Sequence, residues 1–141
     1  MISFGRNRVL VLVGIILLST SLTTGKTRKM QRLTTGTWGG MHVLMEVKEQ
    51  SATVAYDCAN GEVEGPLTVE KNGRFNWHGK HHVEHGGPVR RDEESNEIPV
   101  VYTGTLLQGQ MTLTVKRSDT GTVIGTYTLK HGSMGRVMKC K

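Results

Sequence analysis

Apolar and polar residues alternate along most of the chain after position 36, with the period of two that marks β-strands. Val43, Met45 and Val47 occupy every second position of one run, and residues 52–58 repeat this spacing. Alternation of this kind predicts strands with one buried face. Almost no stretch shows the period of an amphipathic helix. The pattern therefore predicts an all-β domain.

Short polar segments divide the rest of the domain into further strands. The first predicted strand covers 43–48 and has GTWGG (36–40) at its start. The others lie at 52–58, about 65–70, from Phe75 onward, 100–107, 110–117, 122–130 and 136–140. Asn72 and Gly73 favour a tight type I′ hairpin turn, which would start the following strand near Phe75. The sequence thus predicts about eight antiparallel strands in a meander.

A meander of this length leaves two exposed edge strands unless the sheet closes on itself. A small up-and-down barrel is therefore the favoured architecture, and an open sandwich is the alternative. Gly104 and Gly125 lie inside predicted strands, where a coiled sheet needs bends or bulges. An eight-stranded barrel is either filled by side chains or holds one small ligand, and the composition favours neither.

The first 25 residues have the order of a secretory signal peptide. Arg6 and Arg8 precede an apolar run at 9–18, and small polar residues follow it. A bilayer span needs about 20 apolar residues, so this run is too short to be a comfortable transmembrane helix. We therefore expect an exported protein, secreted or periplasmic, with no membrane span. An uncleaved N-terminal anchor is the alternative.

Much of the positive charge precedes the folded domain. The net charge is +6, but six of the 18 Lys and Arg lie before Leu33, which leaves 12 against 12 Asp and Glu. A nucleic-acid interface needs basic residues gathered on one face. We therefore expect no nucleic-acid partner. Residues 26–35 are predicted as a basic leader, and residues 36–141 as a single domain.

The chain contains two cysteines, Cys58 and Cys140. In an exported protein they are expected to form one disulfide that ties the C-terminus to the second predicted strand. Closing so long a loop contributes about 4 kcal/mol at most in the chain-entropy model. A catalytic thiol is the less favoured alternative, because neither cysteine is next to a histidine in the sequence.

Two resemblances accompany this fold. Gly36, Thr37 and Trp38 form a G-x-W motif that resembles the opening strand of the lipocalins and the wider calycin group. The resemblance implies that Trp38 closes one barrel end and that Arg136, near the C-terminus, stacks on it. Residues 36–140 also resemble a set of small exported bacterial β-barrel proteins of unknown function. The segments that carry this second resemblance are TWGGMH, YDCANG, EHGGPV, YTGTL, MTLTV and KCK.

Four of the six histidines lie in WHGKHHVEHGG, at residues 77–87. A helix would place all four on one face, but the glycines and the short length favour a strand. On a strand, His78, His82 and Glu84 point to one side and His81 to the other. His78 and His82 would stand about 13 Å apart, too far to share one metal ion.

A metal site would therefore need ligands from other strands. His42 and His131 are the remaining histidines. The candidate ligands for zinc or another transition metal are His42, His78, His82, Glu84 and His131. This hypothesis requires three of them to converge within about 3 to 4 Å.

Two functions remain open. The first is an exported, non-enzymatic and monomeric binding module without a cofactor, whose ligand is a small apolar molecule or a protein partner. Its candidate contact residues are Trp77, His78, His82 and Glu84, and no catalytic residues are predicted. The small-molecule form requires an apolar cavity of at least a few hundred Å³. The second is a histidine-dependent metal-binding protein or metalloenzyme.

Overall fold

The computed structural model describes residues 29–85, 87 and 96–140, and in these ranges the chain forms strands and no helix. The ten strands are β1 (Met30–Arg32), β2 (Gly36–Gly40), β3 (Val43–Val47), β4 (Ser51–Tyr56), β5 (Ala59–Glu64), β6 (Thr68–Glu70), β7 (Arg74–Val83), β8 (Glu97–Leu107), β9 (Gln110–Arg117) and β10 (Val123–His131). The described part of the chain thus has no helix with the length and apolar character needed to cross a membrane. The predicted signal peptide lies outside the described residues.

Eight of the strands form a closed antiparallel barrel in the order β10-β2-β3-β4-β5-β7-β8-β9. This confirms the predicted all-β, up-and-down barrel. β1 and β6 form a separate two-stranded sheet at one end. Residues 30–32, predicted as part of the basic leader, are therefore paired as β1. The predicted strand at 65–70 becomes β6 and lies outside the barrel.

Three of the predicted elements are wrong in detail. Residues 59–64, which lie between two of the predicted strands and belong to neither, form the barrel strand β5. The segment GTWGG is a strand of its own, β2, and a two-residue turn at Met41 and His42 separates it from β3. Residues 136–140 form no strand, because Arg136 makes only an isolated bridge to Met41.

The turn at Asn72 and Gly73 also differs from its prediction. The Gly73 N–H donates to the Glu70 carbonyl at 2.8 Å, and Gly73 adopts a φ of 83° whereas Asn72 has no positive φ. A type I′ turn needs positive φ at both central residues. Gln108 and Gly109 satisfy this, with φ of 50° and 75°, in the hairpin between β8 and β9.

Inward-facing apolar side chains fill the barrel. The alternation predicted for β3 and β4 is confirmed, since every second residue there is buried. All eight barrel strands contribute buried residues to one hydrophobic cluster. The bulkiest fully buried members are Tyr56, Tyr102, Met45, Met111, Leu113 and Leu129. Leu33, Leu67 and Val69, which flank or belong to the small sheet, join the same cluster.

Inward-facing glycines make room for two aromatic rings. A Cβ atom at Gly61 or Gly79 would overlap Tyr102, and one at Gly104 would overlap Phe75. Pairing runs without interruption through Gly104, so the strand has no bulge there. The irregularity predicted at Gly125 is confirmed by a register shift between β9 and β10. The described side chains thus pack the lumen and form no apolar cup.

The barrel closes through a short seam between its first and last strands. β10 and β2 share two paired positions, Lys130 with Gly39 and His131 with Trp38. After β10 the chain folds back over the outer face of β2 and β3. Backbone atoms of residues 133–135 lie against Gly39, where any side chain would collide. We call residues 132–140 the C-terminal strap.

Backbone hydrogen bonds and the disulfide fasten the strap to the barrel. The Arg136 N–H donates to the Gly40 carbonyl at 3.0 Å, and the His42 N–H donates to the Arg136 carbonyl at 2.7 Å. Cys140 forms the predicted disulfide with Cys58, across a Cα–Cα distance of 4.9 Å. The strap thus links the seam to the turn between β4 and β5.

Replacing Gly61 with alanine tests the packing of the lumen. The new methyl group meets the Tyr102 hydroxyl, so we expect G61A to lower the free energy of unfolding by about 1–3 kcal/mol. The loss should be smaller in a Y102F background, because that change removes the overlapping oxygen. Urea denaturation of the two single variants and the double variant measures the coupling. An equal loss in both backgrounds would contradict this packing.

Removing the disulfide tests the strap as a fastening. The bond joins residues 82 positions apart, so we expect C140S to lose up to about 4 kcal/mol of unfolding free energy. Dithiothreitol should lower the stability of the unmodified protein equally and leave C140S unchanged. A loss in C140S below about 1 kcal/mol would mean that the hydrogen bonds hold the strap without the disulfide.

Candidate functional site

The turn between β4 and β5, the end of β7 and the C-terminal strap meet at one end of the barrel, around the disulfide. The Glu84 N–H donates to the Cys58 carbonyl at 2.9 Å, and the Cys58 N–H donates to the Met138 carbonyl at 3.3 Å. These bonds join the end of β7, the turn between β4 and β5, and the strap. We call residues 41–42, 57–58, 83–85 and 138–140 the disulfide rim.

Asp57 connects two parts of the disulfide rim. One carboxylate oxygen accepts the Met138 N–H at 2.7 Å, and the other contacts His42 Nδ1 at 2.5 Å. The Met138 N–H, assisted by His42, holds the pKa of Asp57 below its usual value of 3.8. His42 and Cys58 both adopt positive φ, of 65° and 55°, in the two turns. The carboxylate thus fixes the strap beside two strained turns.

Glu84 lies in a polar groove beside this contact. The Asn60 side-chain amide donates to Glu84 at 2.9 Å, and the Lys139 ammonium lies 3.7 Å from the same carboxylate. The groove has a volume of about 430 Å³, and its lining residues are Asn60, His82, Val83, Glu84 and His85. Carboxylate, amide and imidazole groups are therefore available on one accessible surface.

His82 and Glu84 do not share a partner, although both lie at the groove. His82 lies 3.4 Å from Glu97, and the Lys80 ammonium lies 3.2 Å from the same carboxylate oxygen. His78 is exposed on the outer face of β7, as its parity predicted. Among the predicted contact residues, His82 and Glu84 thus line the groove and His78 lies on the strand below it.

Trp77, also predicted to contact ligand, lies inside the barrel. Its indole N–H donates to the Thr68 carbonyl at 2.8 Å. Its ring stacks on Phe75, with centroids 4.0 Å apart. Only 5% of the residue is exposed, so the structure separates it from the residues of the groove.

The five predicted metal ligands lie in separate environments. His42 contacts Asp57, His82 contacts Glu97, and Glu84 contacts Asn60 and Lys139. His131 is at the opposite end of the barrel, where its Nε2 lies 3.0 Å from the Thr35 carbonyl. Across the described ranges, which include all five residues, no three His, Cys, Asp or Glu side chains are arranged to hold a metal ion.

Trp38 has a different ring neighbour from the one that the lipocalin resemblance implies. Trp38 is buried, its indole N–H donates to the Thr34 carbonyl at 3.0 Å, and the His131 ring packs against it at 5.0 Å. Arg136 is exposed and bonds to the β2–β3 hairpin through its backbone. The residue that packs against Trp38 is thus His131, the last residue of β10. Arg136 lies in the strap, beside the hairpin between β2 and β3.

Sequence reasoning missed a buried polar pair beneath the disulfide rim. His81 is 4% exposed and its ring packs 5.3 Å from that of Tyr56. Within the described part, His81 Nδ1 and the Tyr56 hydroxyl have no hydrogen-bond partner. Burial, assisted by His82, lowers the pKa of His81. The parity of β7 predicts that His81 faces inward, but only the register shows that Tyr56 meets it.

Comparison of the chain with models of protein families, with curated proteins and with solved structures found no match. The two resemblances drawn from the sequence therefore stay predictions. The site is interpreted from its own chemistry.

Protonation of Asp57 should be visible at the amide that it accepts. Because its folded pKa is lowered, Asp57 contributes stability above pH 3.8, and this contribution is lost as the pH falls through the folded pKa. We expect the Met138 amide resonance to titrate with an apparent pKa below 3.8, and D57N to abolish the titration. Asp119 also has a lowered pKa, of about 2, so D119N is the matched control and should leave it unchanged. A Met138 resonance that is constant between about pH 2 and 5 would contradict this contact.

Proposed function

We propose that this protein is an exported, non-enzymatic binding module that holds a protein partner at its disulfide rim. The observation that carries the proposal is a group of exposed apolar side chains beside the polar groove. Met41, Val83 and Met138 are 60%, 51% and 63% exposed. Exposed apolar surface bordered by polar groups is typical of protein interaction sites.

The packed lumen supports a partner on the outer surface. Tyr102 occupies the space beside Gly61 and Gly79, and Phe75 occupies the space beside Gly104. A small apolar ligand needs a cavity that would bury most of its surface. The rim instead offers methionines, whose flexible side chains adapt to a partner, next to hydrogen-bonding groups of the groove.

Export is part of the proposal and has two supports. The order of residues 1–25 is that of a secretory signal. The Cys58–Cys140 disulfide is typical of oxidising compartments. The alternative of a histidine-dependent metal protein gains no support, because its five candidate ligands do not converge.

Charge substitutions at the exposed methionines test the proposal. The full chain would be used to capture proteins from the exported fraction of its own host, followed by mass spectrometry. We expect M41D and M138D each to reduce the captured partner at least about tenfold, because a buried unpaired carboxylate costs several kcal/mol at an interface. Met30 is equally exposed, at 58%, but lies at the opposite end, so M30D is the matched control.

Thermal unfolding of all three variants would verify that they stay folded. Undiminished capture by both rim variants, or an equal loss in M30D, would contradict the proposal. A stoichiometric metal ion in the native mass spectrum that is lost in H42A or H82A would favour the metal-binding alternative.

A further inference from the structure

We propose that the partner docks along the outer edge of the C-terminal strap, as an added β-strand that presents acidic and apolar side chains in alternation on one face. The inference rests on the function proposed above and names the chemistry of its partner. Three properties of the strap support it: backbone groups that make no hydrogen bond to the barrel, exposed apolar and cationic side chains, and a fixed position on the barrel.

The strap bonds to the barrel through every second residue. The Arg136 N–H donates to the Gly40 carbonyl, and the Arg136 carbonyl accepts from the His42 N–H. Met138 likewise uses both groups, toward Asp57 and Cys58. This alternation is that of an extended strand, in which neighbouring residues direct their N–H and C=O groups to opposite sides.

The backbone groups of Val137 and Lys139 therefore point away from the hairpin, whereas the Gly135 backbone lies against Gly39. Within the described residues, neither Val137 nor Lys139 makes a backbone–backbone hydrogen bond. A row of unpaired N–H and C=O groups on an accessible strand is a template for another strand. Main-chain bonds of this kind supply affinity for an extended peptide, and side-chain contacts at alternate positions supply specificity.

The side chains of the strap indicate what such a strand would carry. Met134, Arg136 and Met138 lie on its exposed face, with Met134 80% and Met138 63% exposed. The exposed Met41 is bridged to Arg136 through the backbone. Along this face the strap thus alternates apolar and cationic positions, which matches a partner strand whose residues on one face alternate apolar and acidic.

The cationic side chains at this edge are less neutralised by carboxylates than other cationic side chains toward the same end of the barrel. Lys80 and Arg117 lie 3.2 Å and 2.7 Å from their carboxylate partners. Lys139 lies 3.7 Å from Glu84 and is 67% exposed, and Arg136 has no ion pair with any described residue. Two cations are therefore available to an acidic partner strand.

The disulfide and Asp57 hold the strap in place before a partner arrives. Cys140 is bonded to Cys58, and the Met138 N–H is bonded to Asp57. Ordering a flexible segment on binding would weaken the association, and a segment already fixed avoids this cost. Reduction of the disulfide should therefore weaken docking.

A designed peptide tests this inference directly. The probe is the capped heptapeptide Val-Thr-Glu-Thr-Val-Thr-Glu, in which valine and glutamate alternate on one face of the strand. This glutamate-valine peptide is titrated into the oxidised, ¹⁵N-labelled full chain. We expect shifts at the amides of Val137 and Lys139, and an affinity at least about tenfold weaker for the matching lysine-valine peptide, in which lysine replaces glutamate. A peptide with proline in place of each threonine, which lacks the N–H donors of one edge, should bind more weakly. Dithiothreitol should weaken the glutamate-valine complex severalfold.

Charge reversal supplies the matched variants. The double variant R136E with K139E should prefer the lysine-valine peptide. The control K48E with K71E changes two exposed lysines at the opposite end of the barrel, so the glutamate preference should persist. All four side chains are exposed, and the fold of each variant would be verified by its NMR spectrum.

Several outcomes would overturn this inference. Peptide shifts confined to the groove, equal binding of both charged peptides, or no binding at all would each do so. Strap shifts that grow with protein concentration without peptide would identify a second copy as the occupant and also reject it. A host protein whose capture needs Met41 but tolerates R136E with K139E would leave the proposed function standing without this docking edge.

Discussion

Closure of the barrel between β10 and β2 is the constraint on which the other features of this molecule depend. An eight-stranded sheet leaves no exposed edge only if its first and last strands pair, and here they share two paired positions, at Gly39 and Trp38. The C-terminal strap extends this short seam. It covers Gly39, bonds to the β2–β3 hairpin through Arg136, and ends in the disulfide to Cys58.

Closure also decides where binding can take place. Once the sheet is closed, inward side chains have no contact with solvent, and Tyr102 and Phe75 fill the spaces left by glycines. The accessible chemistry is therefore on the outer surface. Because the strap ends at the disulfide rim, Met138 lies beside the Asp57 contact and the groove at Glu84. One segment thus completes the fold and supplies most of the proposed interaction surface.

The sequence predicts the parts of this structure that depend on local pattern. Alternation identified β3 and β4, and strand parity separated His81 from His78 and His82, because side-chain direction has a period of two. Tertiary contacts explain what it missed. β5 contains Asn60 and Gly61, which are typical of turns, yet Gly61 is a strand residue that makes room for Tyr102. The partners of the histidines, such as Asp57 and Glu97, depend on a register that local pattern does not specify.

Hydrogen exchange in the oxidised and reduced protein tests most directly whether the strap secures the closure. The informative donors are the amides of Gly132, His42, Arg136 and Cys58, which bond along the strap. Leu33 and Leu106 donate backbone bonds at the opposite end and serve as internal references. The account predicts that reduction accelerates exchange more at the four strap amides than at the two references, which change only by the loss of global stability. Unchanged protection at the strap after reduction would contradict it.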